Sequence, residues 1–283
     1  MASNAKPERA PFPPRSLLLR PGTWRNRGRL VGSGSAEPRR YAGRTPALLA
    51  LHGFGATPQE VEILVEVARE RGLAALAPVL PGHASHVRAL APRTFEDWLA
   101  AARVELQALA AAGRVVVAGM SLGAIIAAHL ASDEPTVCGL ALFGNALRLT
   151  SPYPARWLAV AQHLHLPRRW WIPKLCADIE APAARARHQG YDVEPIRAAI
   201  EVYRGGLQTV ARLGKITCPT LIVHGAHDQV CPVGNVEWVR AALGTRDVRT
   251  VVLPNSGHVV TEDHDRMQAA AALDSFIRYL DAG

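Results

Sequence analysis

The chain has 283 residues, 49% of them hydrophobic and 20% charged, with a formal net charge of +8. That balance excludes a disordered polymer, and no apolar run nears the ~20 residues that a membrane-spanning helix needs. Nor is the charge a nucleic-acid signature: positions 1–44 hold ten basic and two acidic residues, whereas the remainder holds 22 of each.

In chain order, residues 1–13 read as a disordered basic tail, rich in Pro and Arg and without interleaved aromatics. The longest apolar run near the N-terminus, Leu17-Leu18-Leu19, is too short for a signal-peptide core, so the expected location is cytoplasmic. Short strands at 16–19 and 27–31 are expected to pair as a hairpin. Pro46-Ala47-Leu48-Leu49-Ala50-Leu51 is a buried strand ending at His52-Gly53-Phe54-Gly55. Thr57, Pro58 and Glu60 have the letters of a capping box and open a helix that runs to Arg71. A strand over 74–80 leads into Pro81-Gly82-His83. A helix over 94–112 carries Phe95, Trp98, Leu99, Val104 and Leu106 as its apolar stripe. Further strands are expected at 114–118, 137–143, 220–224 and 248–253, and a closing helix over 262–280 with Thr261 as its N-cap.

Strands alternating with helices imply an α/β fold, with a mostly parallel sheet covered on both faces. The alternation breaks once, over 148–216, where no convincing strand is present and Trp157, Trp170 and Trp171 occur. So long an insertion reads as a small helical cap. The expected organisation is a tail over 1–13, a core over 14–147 and 217–283, and a cap over 148–216. The four cysteines, Cys138, Cys176, Cys218 and Cys231, show no metal-ligand spacing, and Cys138 and Cys218 fit reduced thiols beside strands.

Chemistry concentrates at Gly119-Met120-Ser121-Leu122-Gly123. A serine pinched between glycines, after a β-branched strand and before a small-residue helix, is the pattern of a nucleophile elbow. Such a turn lifts the Ser121 hydroxyl off the backbone and aims the Leu122 N–H, at a helix N-terminus, toward an oxyanion. A strand, a turn and Asp228 follow, then a strand, a loop and His258, in the order nucleophile, acid, base. His258 is the expected base and Asp228 its orienter. Phe54, after the first long strand, is placed to supply the second oxyanion N–H. His83 borders the same region, and with Trp157, Trp170 and Trp171 it is a candidate substrate contact. No metal or cofactor is required by this set.

Together the HGFG stretch at His52, LPGH at Leu80, GMSLG around Ser121, HDQVCP at Asp228 and NSGHVVTED around His258 resemble the α/β-hydrolase superfamily. The resemblance is closest to bacterial carboxylesterases and monoacylglycerol lipases, and runs from about position 47 to 277. It implies a serine hydrolase of small carboxylic esters, with Ser121, Asp228 and His258 catalytic and Phe54 and Leu122 forming the oxyanion hole. Ala84 departs from the pattern, since many members follow the PGH letters with another glycine. A thioesterase or acyltransferase would share the same triad. A non-catalytic protein binding a small ligand on this scaffold is the alternative of a different class.

Overall fold

The computed structural model describes residues 27–149, 160, 170–174 and 177–282. The apolar runs read from the sequence become neighbours in one seven-stranded sheet. Its strands are β1 (Arg39–Tyr41), β2 (Arg44–Leu51), β3 (Leu73–Ala77), β4 (Val115–Met120), β5 (Val137–Phe143), β6 (Thr220–Gly225) and β7 (Val248–Leu253). They lie in the order β7-β6-β5-β4-β2-β3-β1. All neighbours pair in parallel except β1, which runs antiparallel to β3.

The period-2 direction of strand side chains divides the apolar residues between two cores. Leu49 and Leu51 of β2, with Val115 and Val117 of β4, enter one core. Leu48, Ala50, Val116 and Ala118 enter the other. The helices α1 (Glu62–Glu70) and α6 (Arg266–Ala282) close the second core. The first is closed by α2 (Phe95–Ala110), α3 (Leu122–Asp133), α4 (Ile196–Val210) and α5 (Asn235–Ala242). With both faces covered, the central strands are apolar throughout, and β4 is buried from end to end. The helix after it is equally surrounded, so residues 122–130 of α3 are buried on every side.

Several elements differ from expectation for identifiable reasons. β1 escapes sequence reading because its letters are Arg-Arg-Tyr, a charged edge strand with little to bury. α5 is also unannounced. Leu30–Val31 does form a strand, but it pairs antiparallel with Gly190–Tyr191. The expected partner at 16–19 lies outside the described residues, as does the tail over 1–13. Thr57 makes no side-chain cap; a 3-10 turn, Pro58–Val61, precedes α1, and the Glu60 carboxylate is engaged elsewhere. The helix after residue 93 starts instead with a reciprocal capping box between Thr94 and Asp97. Val104 is 64% exposed and so leaves its predicted apolar stripe. The last helix begins at Arg266, because Asp263 and Asp265 serve a preceding loop.

The segment over 148–216 is not strand-free. Trp171–Pro173 pairs antiparallel with Val193–Pro195. Its final part is α4, which packs beside α3 through a His129 Nδ1 to Thr209 Oγ1 contact of 3.1 Å.

Ala84 adopts φ 55° in the loop that follows β3. A methyl group there meets the steric penalty that glycine avoids. Ala84→Gly is expected to stabilise the fold by about 0.5–1 kcal/mol, strain relief exceeding the added freedom of the unfolded chain. Urea unfolding measures it, and a lowered midpoint would contradict the strain.

Candidate active site

β4 ends at Met120 and α3 begins at Leu122, so Ser121 alone makes the turn between them. Its backbone stands at φ 54° and ψ −110°, outside the regions L-residues prefer. Close packing on both sides enforces it. A Cβ on Gly119 would lie 2.1 Å from the Gly123 carbonyl oxygen, and one on Gly123 would lie 2.0 Å from that of Leu51. The Ser121 N–H donates to the Phe143 carbonyl at 3.0 Å, while its own carbonyl accepts from Ala124 and Ile125. The serine backbone is thereby tied to β5 and to α3.

Ser121, His258 and Asp228, 137 and 30 positions apart in sequence, meet at the carboxyl ends of β4, β7 and β6. His258 Nε2 lies 2.9 Å from Ser121 Oγ, and His258 Nδ1 lies 2.8 Å from Asp228 Oδ2. The second carboxylate oxygen, Oδ1, accepts the N–H groups of Val230 and Cys231 at 2.9 and 2.7 Å. Burial would raise the Asp228 pKa, but the His258 charge and the surrounding donors hold it well below the usual carboxylate range. For His258, burial opposes the imidazolium, yet the Cys231 sulfur and the Asp228 carboxylate together raise its pKa well above 6.5.

The loop carrying His258 is held by three carboxylates. Asp265 accepts from the Asn255 N–H at 2.7 Å and from the Ser256 hydroxyl at 3.0 Å. Asp263 accepts from the Gly257 N–H at 2.8 Å and from Glu180 and Ala181 N–H groups at 2.8 Å each. Asp178 Oδ2 accepts from the N–H groups of both His258 and Gln229, at 3.1 and 2.8 Å, tying the base loop to the acid loop. Asp178 had no signal in the sequence, since it sits in an irregular stretch far from both loops.

Leu122 follows the serine directly, and Phe54 follows Gly53 on the loop after β2. Leu122 opens α3, where an N–H has no intrahelical partner. The preceding Gly53 abuts the nucleophile, for a Cβ built on it would lie 3.3 Å from Ser121 Cβ. Gly53 gives its own N–H to Glu60 Oε2 at 2.5 Å, and Gly55 gives its carbonyl to the Tyr191 N–H at 2.9 Å. His52 accepts the Leu80 N–H on Nε2 at 3.1 Å, which places its proton on Nδ1, 2.9 Å from the Gly53 carbonyl. Burial pulls that imidazole down to a pKa of about 4, so it stays neutral.

Of the candidate substrate contacts, His83 lies beside this loop, its ring 6.3 Å from that of Phe54 and 6.0 Å from Trp98. Trp171 is buried in the main core with His86 6.4 Å away, and Trp170 is 40% exposed. Trp157 lies outside the described residues. One cluster of metal-donor type occurs among the described residues, Asp228, Cys231 and His258 within 4.8 Å, and two of its three donors are hydrogen-bonded to each other.

Residues 44–265 match the family model described as serine aminopeptidase, S33. The chain belongs to this family. Its S33 core is 29% identical over 247 residues to the thermostable monoacylglycerol lipase of Bacillus sp. (strain H-257), covering 86% of this chain and 95% of that one. A solved structure of the metagenome-derived lipolytic enzymes LipS and LipT superposes with a TM-score of 0.80 at 28% identity, covering 88% of this chain and 99% of that one. The fold extends to the soluble variant of monoglyceride lipase from Saccharomyces cerevisiae, with a TM-score of 0.70 at 16% identity, covering 89% and 90%. This S33 member is an esterase- and lipase-like α/β hydrolase.

The Glu60 bond generates a prediction. Removing the carboxylate strands the buried Gly53 N–H, at a cost of about 1–3 kcal/mol. Glu60→Ala is expected to lower the urea midpoint accordingly, while Glu60→Gln, which keeps an acceptor oxygen, recovers most of the loss. Equal stability of Glu60→Ala and wild type would remove Glu60 as the anchor of this loop.

Proposed function

We propose that the protein hydrolyses carboxylic esters of small molecules, short-to-medium acyl esters or monoacylglycerols, through an acyl-enzyme. The observation that carries this reading is the continuous chain Ser121 Oγ, His258 Nε2, His258 Nδ1, Asp228 Oδ2, with both links within 2.9 Å. Ser121 Oγ attacks the ester carbonyl while His258 Nε2 takes its proton. The tetrahedral oxyanion is met by the N–H groups of Phe54 and Leu122. The carbonyl re-forms, the C–O bond to the alcohol breaks, and His258 returns the proton to the departing oxygen. Water, deprotonated by the same nitrogen, then releases the acid and frees Ser121.

Asp228 keeps the His258 proton on Nδ1, leaving Nε2 as acceptor. The segment over 148–216 acts in this reading as the cap. Two of its contacts support that role: Asp178 bridges the two catalytic loops, and Tyr191 holds Gly55 beside Phe54. Similarity to a monoacylglycerol lipase along nearly the whole chain supports the substrate class.

Turnover of p-nitrophenyl esters and a monoacylglycerol, with an aminoacyl anilide as the competing substrate, tests the reading. Esters should be cleaved and the anilide left. Ser121→Ala should lose on the order of 10⁴-fold or more in kcat with folding intact, and Asp228→Asn a comparable factor through the wrong tautomer. A substantial residual rate in Ser121→Ala would overturn the assignment.

The raised pKa of His258 sets a pH dependence. Below that pKa the ring is an imidazolium and has no lone pair for the Ser121 proton. The kcat/KM of the free enzyme is therefore expected to rise with pH along an acid limb whose midpoint lies above the ordinary 6.5 of histidine. A midpoint well below 6.5 would contradict it.

A further inference from the structure

Beside the carboxylate of Asp228 stands a second imidazole that the reaction as written does not use. His224 lies on β6 with no solvent exposure. Its Nε2 is 3.1 Å from Asp228 Oδ2 and 3.3 Å from the Cys231 carbonyl oxygen. Both partners are acceptors, so Nε2 carries a proton, and the neutral ring is the Nε2–H tautomer. The other nitrogen, Nδ1, is buried and has no hydrogen-bond partner among the described residues.

Oδ2 is the same oxygen that accepts the His258 Nδ1–H. With Val230 and Cys231 on Oδ1, the carboxylate receives four donors, which fills its acceptor sites. Two of these donors are backbone groups of the turn, and one is the base itself. His224 is the fourth. Packing does not account for it, since its strand neighbours Leu221, Ile222 and Val223 are apolar and its register partner on β7 is Val252. A buried imidazole with an orphan nitrogen costs free energy that an apolar side chain avoids. The titratable groups around this pair are Asp228, Cys231 and His258, with Asp178 holding the backbone of the two loops and His227 exposed.

We propose that His224 is a positioning residue for the reaction. Its Nε2–H pins Oδ2, restricting rotation of the carboxylate so that this oxygen stays on His258 Nδ1. It also draws charge from Oδ2 and so limits how far Asp228 raises the basicity of His258. The inference rests on the ester-hydrolase reading and deepens it.

The test uses the full chain with His224→Leu, His224→Asn and His224→Gln. His224→Leu removes the donor, and its kcat is expected to fall on the order of tenfold, the factor that goes with one hydrogen bond to a charged group, at unchanged KM. Its acid limb in kcat/KM should move to higher pH, because Oδ2 then turns more charge toward His258. His224→Gln, whose Nε2 reaches as far as the imidazole nitrogen, should restore both kcat and limb. If His224→Leu does not fold, His224→Asn, too short to reach Oδ2, takes its place with the same expectation.

Wild-type kcat with an unmoved limb in His224→Leu or His224→Asn would overturn the proposal. So would His224→Gln as impaired as the variant lacking the donor. The downfield proton resonance of His258 Nδ1–H, followed in a Ser121→Ala background, gives a readout without turnover. Loss of the His224 donor should move it further downfield, and an unmoved resonance counts against the proposal. Failure of the ester-hydrolase reading shows separately, as a wild type without turnover.

Discussion

The backbone of Ser121 is the constraint on which the rest of the molecule turns. A left-handed φ at a non-glycine residue persists only where the surroundings over-determine it. Here β4 lies at the centre of the sheet, paired on both sides, and α3 is packed so closely against it that positions 119 and 123 have no room for a Cβ. The apolar run of α3 from Leu122 to Leu130, broken only by His129, follows from that position, because a helix forced against the sheet and covered by α2 and α4 has no face left for solvent over those turns. A nucleophile whose backbone is held in this way, with its hydroxyl 2.9 Å from His258 Nε2, already stands beside its base.

Around this turn the site is built from carboxylates that spend themselves on backbone N–H groups. Glu60 holds Gly53, Asp178 holds His258 and Gln229, Asp263 holds Gly257, and Asp265 holds Asn255. Buried carboxylates are costly unless each finds donors, and loops are costly unless each N–H finds an acceptor. Matching the two demands fixes irregular backbone without secondary structure. At Asp265 the burial penalty is overcome by the Asn255 and Ser256 donors, which leave its pKa below the ordinary value.

This arrangement also explains what was legible in the sequence. Strands buried on both faces carry continuous apolar runs, so β2, β4, β5 and β6 stand out within a residue or two of their ends, while the half-exposed edge strand β7 shows through its Val-rich letters. The serine, acid and histidine are equally plain, since each follows such a strand. What escapes is whatever depends on a partner distant in the chain. Thr57 and Glu60 have the spacing of a capping box, but the carboxylate finds Gly53 instead. Thr261 looks like a cap before a helix that begins at Arg266, because the intervening Asp263 and Asp265 fold a loop. His224 reads as one more residue of a strand until the turn brings Asp228 back against it.

The stretch from Arg187 to Tyr191 is tied to the body along its length. Gln59 donates to the Arg187 carbonyl, Gln189 to the Gly34 carbonyl, Tyr191 N–H to Gly55, and the Tyr191 hydroxyl joins Gly82 and the Ser85 N–H. These ties reach three separate loops of the body. The stretch is therefore joined to the body by more than its chain ends. Side-chain changes at Gln189 or Tyr191 would leave the carbonyls at Gly34 or Gly82 without these donors, whereas the Gly55 bond is made by backbone. A change in this stretch would therefore be felt at Gly34, Gly55 and Gly82 at once, in loops far apart in the chain.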